Sequence, residues 1–230
     1  GQMDQSRRQL DRLIAQTEAS GAGIFVDTMV SPSFVTALAQ TIQMPGVSGL
    51  ENNSVLFEFS EDHLDEVEEV VKGCQMAGSL GFNICVLRST EHHFGYRRAL
   101  HVWLTRYDDA NSPLLILLAY IIMGHPDWRE AEITIFATFP SAELDTEVRQ
   151  LQETIATGRL PISARSLVQL PVDDDTSFNE LVAAHSRDAD LVLMGYSPQL
   201  MERKGAELFA RHPELGDILF VNANQEIAIS

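Results

Sequence analysis

Ten consecutive residues of this chain, Leu114–Met123 (LLILLAYIIM), carry no charge. A bilayer span needs about 20 such residues, so this run is too short to cross a membrane. It predicts a helix buried on most sides of a soluble domain, a place where an aspartate at Leu117 would prevent folding. The flanks agree. HVWLTRY (His101–Tyr107) has the aromatic and β-branched residues of a strand. Asp108, Asp109, Asn111, Ser112 and Pro113 stop that strand, supply N-cap chemistry and place proline early in the helix. Gly124 and Pro126 end the helix, and the strand ITIF (Ile133–Phe136) follows the pair Trp128-Arg129.

The same alternation runs along the whole chain. Strand-like runs are Gly23–Met29, Val55–Phe59, Asn83–Arg88, Ala99–Thr105, Glu132–Thr138, Ser166–Leu170, Leu191–Gly195, Ile218–Val221 and Ile227–Ile229. Helical runs between them are Ser33–Gln43, Asp62–Ser79, Pro113–Met123, Ala142–Thr157, Ser177–His185 and Gln199–Ala210, after an amphipathic lead-in helix over Gln5–Ser20. This pace predicts βαβ units and an α/β fold with a doubly wound, mostly parallel sheet. Apolar runs such as ILFV fit strands covered on both faces. The order from Glu132 onward is that of flavodoxin-like and universal-stress-protein-like folds, and a shorter version precedes it. The chain therefore divides into a lead-in helix at 1–20, a first α/β half at 21–124 and a second at 125–230. In the first half EHHFGYRR (Glu91–Arg98) stands where a crossover helix is expected.

Charge narrows the partners. The net charge is -17, with 33 Asp and Glu against 16 Lys and Arg. Nucleic acid binding rests on clustered basic residues, and so does docking on anionic lipid. Both are excluded as expectations, although a domain tethered covalently to a membrane protein needs no basic patch. Cys74 and Cys85 each lie in an apolar segment and read as small core residues rather than a bridge. The polar start GQMDQSRRQLDRLI is no signal peptide, and Gly1-Gln2 reads as a cloning remnant.

No constellation carries chemistry. Neither GxGxxG nor GxxxxGK[ST] occurs, and after Gly195 the segment YSPQLMERKGAELF lacks the spaced glycines of a phosphate cradle. Nucleotide is therefore not expected. Glu91, His92 and His93 are adjacent in a loop, without the spacing that brings metal ligands onto one face. Asp173-Asp174-Asp175 lacks the further oxygen ligands of a calcium loop and reads as the cap of the helix that follows. In EDHLDEVEEVVKGCQMAG the apolar positions Leu64, Val67, Val70, Val71 and Cys74 leave the carboxylates on a solvated face. Ser31, Ser60 and Ser197 follow strands, but none sits in a nucleophile elbow. The sequence assigns no catalytic, cofactor-binding or metal residue and predicts no enzyme.

Four stretches in order resemble the cytosolic C-terminal domain of cation-chloride cotransporters. They are the segment from Val102-Trp103 through Asp108-Asp109, Leu114–Met123 and Trp128-Arg129 to Ile133–Phe136; GLENNSVLFEF (Gly49–Phe59); SRDADLVLMGYSP (Ser186–Pro198); and ILFVNANQE (Ile218–Glu226). The resemblance implies a universal-stress-protein-like fold and a non-catalytic module that regulates and dimerises a secondary transporter of sodium or potassium with chloride. It implies a homodimer, a covalently attached transmembrane transport domain and a place on the cytoplasmic face of the membrane, in a longer polypeptide. The absence of long inserts suggests a prokaryotic member. The alternatives are a stand-alone universal-stress-type protein that binds nucleotide and a small enzyme on a flavodoxin-like scaffold.

Overall fold

A computed structural model of the chain describes residues 2–20, 24–44, 46, 51–157, 166–172 and 176–224. They form two compact units, Gly1–Asn52 and Asn53–Ser230. The first holds α1 (Gln2–Ser20) and α2 (Phe34–Ile42), the latter capped by Ser33, whose hydroxyl accepts from the Thr36 N–H. No residue of α2 is buried. The predicted strand at Gly23–Met29 is not one: residues 24–30 take no strand pairing. Its β-prone composition has no partner edge, and an isolated strand leaves its backbone groups unpaired.

The second unit is α/β. In chain order it contains β1 (Ser54–Ser60), α3 (Val67–Ser79), β2 (Asn83–Ser89), β3 (Ala99–Thr105), α4 (Ser112–Met123), β4 (Glu132–Phe139), α5 (Leu144–Thr157), β5 (Leu167–Pro171), α6 (Phe178–Ser186), β6 (Leu191–Gly195), α7 (Pro198–Lys204) and β7 (Asp217–Asn222). The strands make one seven-stranded sheet in the order β1-β2-β7-β6-β3-β4-β5. All pairs are parallel except β2 with β7. Of the expected halves, residues 21–52 fall in the first unit, while the strands of 53–124 and 125–230 share one sheet, with β7 beside β2 and β3 between β6 and β4. The strand expected at Ile227–Ile229 lies outside the described residues.

Strand periodicity sorts the two faces. Leu100, Val102 and Leu104 of β3 enter the core under α4 and α5, with Leu115, Ile116, Trp128, Ile135, Val148, Leu151 and Leu193. The alternate residue Trp103 points to the α6 face, stacked on Phe136 at 4.4 Å and edge-on to Phe178 at 5.6 Å. Its indole N–H donates to the Ser186 hydroxyl at 2.9 Å.

The apolar helix α4 departs from expectation in two ways. Leu114, Leu115, Ile116 and Ala119 are buried, whereas Leu117 is half-buried and Tyr120 and Ile121 are exposed. A charge at Leu117 therefore meets the edge of the core, not its interior. Asn111, at the N-cap position, makes no cap bond with its side chain. Its amide is committed elsewhere, as described below. Leu64, predicted on the apolar stripe of the α3 segment, is 50% exposed in a 3-10 turn.

The antiparallel β2–β7 pair explains the missing crossover helix. Because β2, parallel to β1, runs against β7 and the strands beyond it, it ends at the edge of the sheet where β3 begins. Residues 91–98 need only follow that edge.

Candidate functional site

The strand order places β3 at a switch point. From β3 the chain moves outward to β4 and β5, then returns through β6 to the other side. In open α/β sheets such a point leaves a crevice at the carboxyl ends of the strands, the usual place for a ligand. A cleft of about 1020 Å³ lies here. Thr105, Arg106 and Tyr107 reach it from the end of β3, Thr138 and Pro140 from β4, and Met194, Gly195 and Tyr196 from β6. Phe178 of α6, Leu200 and Arg203 of α7, and Arg211 line the rest.

A buried polar network underlies the cleft. Asp108, Asn111 and Asn222 are each 4% exposed. The Asp108 carboxylate accepts from the Thr105 N–H at 3.0 Å, the Thr105 hydroxyl at 2.7 Å and the Asn111 amide at 3.1 Å. Asn111 also donates to the Tyr196 carbonyl at 3.1 Å and accepts from the Ala223 N–H at 2.9 Å. Asn222 donates to the same Tyr196 carbonyl at 3.1 Å. The acidic turn after β3 is thereby tied to the ends of β6 and β7. Gly195 permits this: a Cβ there would overlap the Asp108 carboxylate and the Asn111 amide. Burial pushes the Asp108 carboxyl above the usual range, opposed by its Thr105 and Asn111 hydrogen bonds.

Three cations face the cleft. Arg106 and Arg203 are exposed and Arg211 is half-buried. The Arg106 guanidinium lies 5.4 Å from the centre of the Tyr107 ring. Arg211 donates its Nε–H to the Leu208 carbonyl at 3.2 Å, and burial lowers its pKa.

The residues considered in the sequence fall elsewhere. Glu91, His92 and His93 are exposed on the edge loop, and Asp173–Asp175 lie outside the described residues. Among the described residues no group of three His, Cys, Asp or Glu side chains is placed to hold a metal. Ser197 caps α7, accepting from the Leu200 N–H at 3.2 Å. Cys74 and Cys85 are free and buried, and burial raises their thiol pKa values to about 12 and about 11. The arginines of the cleft were not singled out in the sequence. Their one signal is position, since Arg106-Tyr107 directly follow a strand.

No protein-family model and no curated protein matches this sequence. A solved structure does: the cytoplasmic domain of a prokaryotic cation chloride cotransporter, with a TM-score of 0.64 over 94% of this chain and 80% of that one. The two are 15% identical, so the likeness shows the fold. No helix among the described residues is long and apolar enough to cross a membrane.

Proposed function

We propose that this chain is the cytosolic regulatory and dimerisation module of a secondary transporter that moves sodium or potassium with chloride, non-catalytic and covalently attached to a transmembrane part. One coincidence supports the reading most. The four ordered segments that resemble this family belong to a chain whose fold, along 94% of its length, is like that of a cotransporter's cytoplasmic domain. Around the cleft, the acidic turn at Asp108, the strand ending at Gly195 and the strand ending at Asn222 meet in one hydrogen-bond network. Ion binding and translocation belong to the membrane part. The module biases the transport cycle by assembling in pairs and needs no nucleotide, metal or nucleic acid.

Association tests this reading. With -17 on each 25.5 kDa chain, two copies repel, so the contact is apolar or neutral at its centre. Raising salt to about 0.5 M shortens the screening length well below the roughly 10 Å at 0.1 M and strengthens the dimer. Light scattering over a concentration series then gives a mass rising from one chain toward two. A strict monomer at millimolar concentration and high salt overturns the dimerisation role. Finding about a dozen hydrophobic spans encoded upstream would support transporter attachment.

The cleft at the switch point favours one second reading, a universal-stress-type protein that binds nucleotide. Saturable ATP binding with a raised melting temperature would establish it over the first.

A further inference from the structure

We propose that the cleft at the carboxyl ends of β3, β4 and β6 binds a small organic anion with two or more negative charges on an apolar or aromatic body, recognised by Arg106, Arg203 and Arg211. This goes beyond the transporter reading and does not depend on it.

The charge argument comes first. Of the chain's 16 basic residues, three arginines line one cleft, and among the described residues none of the three is within ion-pair distance of a carboxylate. Arginine forks suit carboxylate and phosphate oxygens, which they hold in pairs of parallel hydrogen bonds. Arg211 spends only its Nε–H on the protein, at Leu208. The one carboxylate in the lining, Asp108, has its oxygens committed to Thr105 and Asn111.

Size and wall chemistry give the rest of the ligand. At about 1020 Å³ the cleft is far larger than an inorganic ion, and it lies at the upper end of small-molecule sites, roughly 300–1,000 Å³. Tyr107, 79% exposed, and the half-buried Phe178 offer aromatic walls over the floor at Met194. Either ring can pack against a flat apolar body. The backbone lacks the glycines that cradle a phosphate chain. Charge recognition therefore falls to side chains, and carboxylates serve as well as phosphates.

The test uses the whole chain, with phenyl phosphate, phthalate, inorganic phosphate and ATP as probes at constant ionic strength set by sodium chloride. Phenyl phosphate or phthalate at 10 mM is expected to raise Tm by about 5 °C, the size expected near a hundredfold excess over Kd, with a smaller rise for inorganic phosphate. Multivalent anions also stabilise proteins generally by exclusion from the surface. The double variant Arg106→Gln, Arg203→Gln removes that ambiguity: both residues are exposed, so its Tm without ligand should match the parent, and the ligand-induced rise should vanish. ATP binding lost in the double variant would support the cleft while overturning the nucleotide-free module. No rise with any probe, or a rise retained in full by the double variant, overturns the proposal.

Discussion

The two ends of the parallel strands handle charge differently. At the amino end, Asp190 accepts from the backbone N–H groups of Tyr96, Arg98 and Ala99 at 2.7–2.9 Å. Asp217 accepts from the Thr90 N–H, the Thr90 hydroxyl and the Phe94 N–H at 2.6–2.8 Å. These two carboxylates hold the 91–98 loop, in which His93, Phe94, Gly95 and Arg97 all have positive φ. Gly95 is required there, because a Cβ would overlap the Asp190 carboxylate. Trp128, buried in the core under α4, packs edge-on against Phe94 of the loop at 5.9 Å. Beside it the guanidinium of Arg88, 2% exposed, donates to the carbonyls of Arg211, His212, Leu215 and Gly216. Around the cleft, by contrast, the three arginines form no ion pair among the described residues. Both ends spend carboxylates on the fold, Asp190 and Asp217 at one and Asp108 at the other. The difference lies in the arginines: Arg88 is tied to carbonyls at the first, and three lie unpaired by carboxylates around the cleft.

The strongest way to break this contrast is Asp217→Ala. It leaves two backbone N–H groups and one hydroxyl without an acceptor and strips a nearby negative charge from the buried Arg88. At about 1–3 kcal/mol for each buried orphan, partly relieved by water, the loss should be about 3–5 kcal/mol. Denaturant unfolding reads it, and a change below about 1 kcal/mol would remove Asp217 from the latch.

Acid titration sharpens the comparison at intermediate size. His212 is 3% exposed with φ +59, and its ring nitrogens have no hydrogen-bond partner, Glu214 lying 3.5 Å away without hydrogen-bond alignment. Burial, then the neighbouring Arg211 charge, lowers its pKa to about 4. The unfolded chain takes up this proton near pH 6.5 and the folded one only near 4. Stability from this residue is therefore present above about 6.5 and lost as pH falls toward 4. The difference is worth at most roughly 3 kcal/mol. His212→Asn, which suits the positive φ, should flatten that part of the pH profile. An unchanged slope between pH 6.5 and 4 in this variant refutes the assignment.

The smallest effect belongs to the cleft. Exposed arginines without carboxylate partners contribute little to folding, so Arg106→Gln with Arg203→Gln should shift stability by less than about 0.5 kcal/mol. A larger loss, measured by the same denaturant method, would make the cleft a structural element like the opposite end.

Much of the architecture was legible in residue order, because it rests on local periodicity and burial. The strand at Ala99–Thr105 and the strand at Leu191–Gly195 stand where composition put them. The helix at Ser112–Met123 follows from its apolar run and Pro113. The cap of α6 is a correction: Ser177, not the Asp173–Asp175 run, accepts from the Glu180 N–H, being the residue that directly precedes the first helical turn. The lead-in segment is helical as its spacing predicted. The absence of a phosphate-cradling glycine pattern is likewise a property of the chain alone. Strand direction is not. Nothing within Asn83–Ser89 says that it will pair antiparallel with Asp217–Asn222, because that choice depends on residues more than a hundred positions away. Tertiary structure alone therefore decided that the 91–98 loop needs no helix, that Asp190 and Asp217 are backbone acceptors, and that Asn111 serves β6 and β7 instead of capping α4. It also gathered Arg106, Arg203 and Arg211 around one cleft. Short-range pattern determines which elements form and the local bonds of the Thr105–Asn111 turn; long-range pairing determines which distant side chains meet, and in this protein it brings the walls of the candidate site together.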